Sequence, residues 1–411
     1  MKVIVLGAGV VGVTTAYFLA RNGHQVTVIE KGLACATGCS MANGGQLNYS
    51  HLESLITAKS LAACARPFDF EFWKWFCAFL KNSSKEEIRK NSENLFRLTS
   101  YSKALMANIM RQEKGLKFHH KNEGILYFYR SQKKFDKAIA HFDSYAFLNR
   151  KAQILNAEEC VKKEPTLVRL FDEKKLAGGI FYETDASGDA FAFTRALEAI
   201  CREKYGVVFE YNAEVRNILT NRKKITGVNT SKSVYCGDKY VYALGAYGNQ
   251  LLAGIGINPK LYPIKGYSLS IASDEEFVAP NLAMCDFENK IIYSRIGKIF
   301  RAAGTIELGG LKSGKNKKNI QFLKTAVCSS FSDFGNFNEV KEWGGFQAFR
   351  PNSLPLICEA KKYGNFLLNV GHGSLGFVLA ASSAKIICDL AEERGGEEFQ
   401  FLQQEERGIY L

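Results

Sequence analysis

The sequence predicts an α/β fold in which a Rossmann-like dinucleotide-binding domain is joined to a second, separate sheet. Three observations predict it. An apolar strand at the start of the chain ends on a glycine fingerprint and a helix; the order strand, glycine turn, helix recurs twice further on; and a later hairpin with arginines belongs to another sheet. The first stretch is Lys2-Val-Ile-Val-Leu-Gly7-Ala-Gly9-Val-Val-Gly12. Gly7 permits the tight turn, Gly9 lets the backbone approach a pyrophosphate, and Gly12 lets a helix from Val10 to Asn22 pack close to the strand. That helix presents free N–H groups and its positive dipole end to phosphates. Gly23 stops it, a second strand follows, and Glu30 closes that strand eighteen residues past Gly12, near the ~20 expected of a ribose-binding acid. A carboxylate there accepts bonds from both ribose hydroxyls and repels a 2′-phosphate, so the ligand implied is FAD or NAD.

The same residues could be read as a signal peptide, since Val3 to Ala20 is uncharged, follows Lys2 and precedes Ala34-Cys-Ala36. Three glycines at this spacing and a second strand argue against it. The run is diluted by three glycines and two threonines and barely reaches the ~20 residues that a membrane span requires.

Composition bounds the remainder. The chain has 411 residues, 46% of them hydrophobic and 12% aromatic, enough for two domains with substantial cores. Its eleven cysteines contain no CxxC pair and suit reduced thiols. The six histidines lack metal-ligand spacing, so no metal is expected. The net charge of +13 is spread along the chain, densest at Lys312 to Lys318, and no nucleic-acid motif accompanies it.

After Glu30 comes a small polar loop, Thr37 to Leu47, in which Ser40 and Asn43 can hydrogen-bond a ligand and Gly44-Gly45 can bring backbone near a flat ring. An ordinary connector is the alternative. Residues 67–80 carry seven aromatics, either packed under a neighbour or laid in a membrane interface with Lys74 and Lys81 at the headgroups. A long helix is expected over 85–116, a strand over 124–129 and more helix over 132–155. A strand at Gly179 to Tyr182 leads through the N-cap Gly188-Asp189 to a helix from Phe191 to Glu203. Strands follow at 207–210, 214–218 and 225–229, and 233–244 ends on Gly245-Ala-Tyr-Gly248, the second strand and glycine turn. Residues 292–294 and 299–303 form a hairpin around Gly297 carrying Arg295 and Arg301. Finally Asn365 to Val370, the loop Gly371-His-Gly-Ser-Leu-Gly376 and an uncharged helix to Ser383 repeat the pattern a third time. That helix aims its N-terminus at something polar, such as the C2 carbonyl side of a flavin. His372 is read either as packing between glycines or as catalytic.

These residues carry a resemblance. Gly7-Ala-Gly-Val-Val-Gly12 with Glu30, the Ser40 to Gln46 loop, Tyr262-Pro-Ile-Lys-Gly-Tyr-Ser268, Phe300-Arg-Ala-Ala-Gly304 and Asn369-Val-Gly-His-Gly-Ser-Leu-Gly376 resemble the D-amino-acid dehydrogenases, FAD enzymes of the D-amino-acid and glycine oxidase superfamily. The likeness runs from Lys2 to about residue 390. It implies a Rossmann-like FAD-binding domain (1–55, 150–258, 343–411) interleaved with an α+β substrate domain on a mostly antiparallel sheet (56–149, 259–342). It extends the FAD contacts to Gly7, Gly9, Val10, Val11, Gly12, Glu30, Lys31, Ser40, Met41, Asn43, Gly45, Gln46, Leu47, Val215, Leu244, Gly245, Gly373, Ser374, Leu375 and Gly376. It also implies oxidative deamination of D-amino acids such as D-alanine, electrons passed to a membrane quinone, and peripheral attachment to the cytoplasmic side of a bacterial inner membrane.

The chain departs from the family at one point. Where the family reads Gly-Leu-Arg-Pro, this chain reads Gly345-Phe-Gln347-Ala348, with Arg350-Pro351 three residues later. The family's carboxylate-holding arginine becomes Gln347. A carboxylate entering a closed pocket calls for a cation, so Arg350 or Arg301, with Tyr267 adding a phenolic bond, is expected to hold the substrate. An oxidase acting on glycine or an N-methyl amino acid, and a flavin electron-transfer subunit without its own substrate, are the competing functions.

Overall fold

The computed structural model describes residues 1–50, 58–64, 68–148, 150–273, 279–312, 314–331, 340–394 and 397–404. Two sheets organise the chain. The first has six strands in the order Leu356–Glu359, Phe366–Val370, Lys239–Tyr242, Lys2–Leu6, Gln25–Ile29, Val208–Glu210. Its pairs are parallel except at the Leu356–Glu359 edge. Parallel strands are covered on both faces, and this explains why Val3 to Leu6 and Phe366 to Val370 are buried throughout rather than alternating. On one face the helices Val10–Arg21, Ala190–Tyr205 and Ala380–Ala391 share a core with the Leu98, Met106 and Ile109 stripe of the long helix Lys85–Gln112. The other face is covered by the three-stranded sheet Val234–Tyr235, Lys224–Thr230, Val215–Asn221 and the helix Asn249–Gly254.

The second sheet has eight strands, ordered Lys341–Phe349, Tyr262–Ala272, Ile299–Glu307, Ile291–Ile296, Ala283–Asp286, Ile125–Tyr129, Gly178–Tyr182, Ala152–Asn156. All its pairs are antiparallel except Ala283–Asp286 with Ile125–Tyr129. The α/β reading, with a mostly antiparallel second sheet, matches this.

Several boundaries differ from expectation. Residues 132–155 do not continue as helix: the helix ends at Ser144, and Ala152–Asn156 is an edge strand paired with Gly178–Tyr182. Sheet pairing overrides the helical pattern there. Residues 233–244 divide into two strands in two different sheets, separated by Cys236-Gly237-Asp238. The segments 150–182 and 343–349, expected with the cofactor domain, supply strands to the second sheet, while 85–112, expected with the substrate domain, packs on the first. The expected boundary at 55/56 and Pro67 of the aromatic stretch lie outside the described residues.

The aromatic helix Phe70–Lys81 packs one of its faces under a neighbour. Phe72, Trp75 and Phe76 are buried with Tyr262, Ile264 and Leu308 of the second sheet, and Trp75 Nε1 donates to the carbonyl of Phe349 at 3.1 Å. Phe68, Phe70, Trp73 and Leu80 stand exposed, at 87%, 78%, 37% and 48%. Positions 70, 73, 77 and 80 follow helical spacing, so one stripe is core and the opposite stripe is bare. Phe72→Ala should therefore lower stability by ~3–5 kcal/mol, whereas Phe70→Ala should stay within ~0.5 kcal/mol. Denaturant melts of the two purified variants separate the faces, and equal effects would contradict the assignment.

Candidate active site

The glycine fingerprint is held as its spacing requires. Gly7 has φ +101°, and a Cβ on it would lie 2.6 Å from the carbonyl oxygen of Ala243, where the strand Lys239–Tyr242 runs out. A Cβ on Gly12 would lie 1.9 Å from the Gly7 carbonyl oxygen, so helix and strand could not approach with any other residue there. The helix Val10–Arg21 has no capping side chain at Gly9 and no acid in its first turn. Its N-terminus is fit for an anion. Ser40 Oγ reaches this end and accepts from the Val10 N–H at 3.1 Å.

Glu30 sits at the end of the neighbouring strand. Its two oxygens accept from Ala8 N–H at 2.9 Å and Gly32 N–H at 2.8 Å, which fixes the carboxylate beside the glycine turn. Its backbone carbonyl takes the Ala213 N–H at 2.9 Å. Val215, two residues on, begins the strand Val215–Asn221 on this side of the molecule. Lys31 Nζ lies 4.1 Å from the ring centroid of Tyr247, in the turn after Leu244 and Gly245. Gly245 has φ +58° and open space where a Cβ would be. Val10 is buried at the head of the helix and Val11 half-buried beside it.

The loop Ala42 to Gln46 is held by the second sheet and by the segment Ala186 to Gly188. Ser268 Oγ donates to the Ala42 carbonyl at 2.7 Å, Arg301 NH1 donates to the Asn43 carbonyl at 3.2 Å, and Gly188 N–H donates to the Gly45 carbonyl at 2.8 Å. Gln46 Nε2 donates to the Met284 carbonyl at 2.8 Å, and Leu47 pairs with Ala186. Asn43 Oδ1 takes the Gly45 N–H at 3.1 Å. Met41, at the end of the 3₁₀ turn Cys39–Met41, is exposed. Glycine is required at 44 and 45 for closeness to protein: a Cβ on Gly44 would lie 1.8 Å from Ile292 Cδ1, and one on Gly45 2.7 Å from Ile296 Cδ1.

The third glycine loop closes from the other side. Gly371 has φ +84° and packs on the stem of Arg350; Gly373 has φ +55° and packs on the Phe349 ring. Gly373–Leu375 is a 3₁₀ turn leading past Gly376 toward the helix Ala380–Ala391, with Ser374 in its middle. His372 is buried, and burial pushes its imidazole down to about 4, leaving it neutral at physiological pH. Its Nε2 has no hydrogen-bond partner among the described residues. A buried ring nitrogen in this state fits a loop that meets a polar ligand group.

The residues expected to anchor substrate are not brought together. Along Tyr262–Ala272 side chains alternate between faces. Tyr267 shares its face with Leu269 and Ile271, in the core under the helix Lys317–Ser330. There its hydroxyl donates to Glu307 and accepts the Asn316 N–H at 3.1 Å. It therefore turns away from the loop that Ser268 and Arg301 hold. Arg350 is buried beyond the strand end, with Nε directed to the Pro259 carbonyl at 3.4 Å and NH1 to the Leu354 carbonyl at 3.5 Å. Arg301 pairs with Ser270, and Phe349, next to Arg350, pairs with Tyr262. Eight residues of strand separate the two registers, roughly 27 Å at ~3.4 Å each. One amino acid cannot span that distance. Ser268 and Ser270 were not singled out from sequence, although their alternation with Tyr267 and Leu269 already placed them on the opposite face. Among the described residues no group could hold a metal.

If Glu30 carries the ribose and Arg301 the loop, both changes should loosen the dinucleotide. Loss of charge-assisted bonds of ~1.5–3 kcal/mol predicts at least ~tenfold weaker FAD affinity for Glu30→Ala. Arg301→Met should also release FAD more readily, because two backbone carbonyl clamps depend on this region of the sheet. Fluorescence titration of apoprotein with FAD measures both, and unchanged affinity in Glu30→Ala would remove the ribose assignment.

Comparison with known proteins agrees with this geometry. The family described as DAO, FAD dependent oxidoreductase, matches residues 2–390. The D-amino acid dehydrogenase of Paramagnetospirillum magneticum is 33% identical over 408 residues, covering 96% of each chain. That of Granulibacter bethesdensis is 32% identical over 406 residues, covering 95% of each. Glycine oxidase from Bacillus cereus superposes with a TM-score of 0.75 at 20% identity, over 96% of this chain and 98% of its own. With the glycine cradle, the fixed carboxylate and the clamped loop in their places, the chain belongs to the DAO family of FAD dependent oxidoreductases.

Proposed function

We propose that this protein is a D-amino-acid dehydrogenase that oxidatively deaminates D-amino acids such as D-alanine to 2-oxo acids and ammonia. The observation that carries this reading is the full-length similarity to D-amino acid dehydrogenases, about a third of positions over nearly the whole chain, on top of a complete dinucleotide cradle. When bound, FAD supplies the electron-accepting chemistry, taking hydride from the substrate Cα. The chain's part is binding and orientation. Gly7, Gly9, Gly12 and the helix end would receive the pyrophosphate and Glu30 the ribose, and the Ala42 to Gln46 and Gly371 to Gly376 loops would hold the flavin. Neutral His372 adds no positive charge to the loop. Orientation over the ring is where such an enzyme gains most of its rate.

The test is anaerobic. D-alanine and other D-amino acids should bleach the flavin absorbance of the holoenzyme, and the L-enantiomers should not. Bleaching by glycine or sarcosine in preference would support an N-methyl amino acid oxidase, and no bleaching by any amino acid would support an electron carrier.

We further propose a membrane quinone as electron acceptor and peripheral attachment to the cytoplasmic face of a bacterial inner membrane. Among the described residues no helix is long and apolar enough to cross a bilayer. The exposed Phe68, Phe70 and Leu80, with the partly exposed Trp73 between them and Lys74 and Lys81 flanking, have the amphipathic form of an interfacial helix. It rests on a buried face, so it can meet lipid without unfolding. The triple change Phe70→Ser, Trp73→Ser, Leu80→Ser should reduce cosedimentation with phosphatidylglycerol and phosphatidylethanolamine vesicles by about tenfold or more. Turnover with a soluble dye should be retained. Undiminished cosedimentation would remove this helix from the attachment.

A further inference from the structure

The helix Phe70–Lys81 is pinned at two points to one rung of the second sheet. Tyr262 and Phe349 face each other across the strands Tyr262–Ala272 and Lys341–Phe349, and each carries one pin. The Tyr262 hydroxyl donates to the carboxylate of Asp69, the residue that caps the helix and whose other oxygen accepts the Phe72 N–H at 2.9 Å. Further along the helix, the Trp75 indole Nε1 donates to the Phe349 carbonyl at 3.1 Å. The indole is buried between Phe79, stacked on it at 5.5 Å, and Tyr262, whose ring is 5.8 Å away. Packing alone does not ask for the second pin: phenylalanine at 75 would keep an aromatic ring in the cluster and lose only the donor.

Beyond Phe349 lies the third glycine loop. Phe349 forms a β-bridge with His372, and its ring is the floor on which Gly373 rests: a Cβ there would fall 2.8 Å from the ring. On the other side of His372, a Cβ on Gly371 would fall 2.8 Å from the stem of Arg350. With no side chains at 371 and 373 to wedge it, the loop takes its height from the two residues at the end of the strand. His372 sits between these contacts, buried, with Nε2 unpartnered among the described residues. Any displacement of Phe349 carries the loop and this imidazole with it. Lys341–Phe349 is the edge of its sheet, paired among the described residues on one side only. The end of an edge strand has half the ladder restraint of a central one, and the Trp75 indole supplies a restraint from outside the sheet.

Resting on the reading above that the Gly371 to Gly376 loop holds the flavin, we propose that Trp75 is a positioning residue for the cofactor. Through the Phe349 carbonyl its indole N–H sets the height of that loop, and with it the fit of the flavin and the approach of substrate to it. The helix thus acts on the cofactor through its inner stripe, whatever its outer stripe meets. A buried indole needs an acceptor in any case, so a bond that is only structural predicts lost stability with an unaltered flavin. That difference is measurable.

The experiment compares Trp75→Phe, which keeps a ring and removes the donor, with Phe72→Leu, which disturbs the same cluster without touching that bond. Both should lower the melting temperature. Only Trp75→Phe should weaken FAD in titration of the apoprotein, by about fivefold, the worth of one hydrogen bond, and shift the visible absorption bands of the bound flavin. In the holoenzyme with D-alanine and a soluble dye it should lower kcat more than it changes KM, because the substrate's own contacts stay while its alignment with the flavin does not. Phe349→Leu, which lowers the floor under Gly373 and keeps the carbonyl, should alter FAD affinity and spectrum in the same direction, and it decides the matter if Trp75→Phe does not fold. The proposal is overturned if Trp75→Phe holds FAD within about twofold of wild type with superimposable bands, if Phe349→Leu leaves the flavin unaltered, or if Phe72→Leu alters it as much as Trp75→Phe, which would make the effect a general loosening. Titration and spectrum need no turnover, so they judge Trp75 whether or not D-alanine bleaches the wild-type flavin; no bleaching by any amino acid would fail the D-amino-acid reading alone.

Discussion

The two-faced alternation of the strand Tyr262–Ala272 is the constraint on which the rest of the structure depends. One face carries Tyr262 and Ile264 onto the aromatic helix and Ser268 and Ser270 toward the cofactor loop. The other carries Tyr267, Leu269 and Ile271 into the core under Lys317–Ser330. A slip of one residue would exchange these sets, placing a serine pair in an apolar core and stranding the loop without its donors. Lys341–Phe349 and Ile299–Glu307 flank the strand and fix its register on both sides. The irregularity in these pairings is the bulge at Thr305, where the register with Ile299–Glu307 shifts between Gly266 and Tyr267.

Burial determines what each of the two arginines must meet. A guanidinium inside a protein must be met by opposite charge or by many oriented carbonyls. Arg350 satisfies this with the Pro259 and Leu354 carbonyls, and Arg301 with Ser270 and the Asn43 carbonyl. These are the duties of residues that hold backbone in place. A charged residue near a family motif therefore says little about which partner it meets until the strand register is known.

The cofactor half of the molecule was legible because its signals are local. Gly7, Gly9, Gly12 and Glu30 lie within one strand, turn, helix and strand, and backbone geometry dictates each residue type. The Gly44-Gly45 pair was read as bringing backbone near a flat ring, whereas the neighbours pressing on it are Ile292 and Ile296, some 250 residues away, which no local pattern names. The substrate half depends on such distant pairings. Tyr267 was expected to offer its phenol to a substrate, and a short motif carries no information about which side of a sheet is inward; its ring lies in the core with the hydroxyl on Glu307. The strand Ala152–Asn156 was read as helix for the same reason: it is held only at its pairing with Gly178–Tyr182. Serines 268 and 270 look like surface residues until the alternation is anchored.

The loop and the sheet that grips it also constrain one another electrostatically. Arg301 is 5% exposed, and burial lowers its affinity for a proton while the field of Asp189 raises it. Arginine nonetheless remains charged in a protein interior, so its environment must accommodate a full positive charge. Among the described residues no carboxylate pairs with it directly; the Asn43 carbonyl and Ser270 Oγ do that work with dipoles. If the Ala42 to Gln46 loop swung away, Arg301 would lose the carbonyl that stabilises it, and Gly44 would uncover Ile292. Opening the loop thus exposes an apolar side chain and deprives a buried charge of its acceptor in the same movement. Those coupled costs hold the loop in one conformation, so that side of the sheet is a preorganised wall before any ligand arrives.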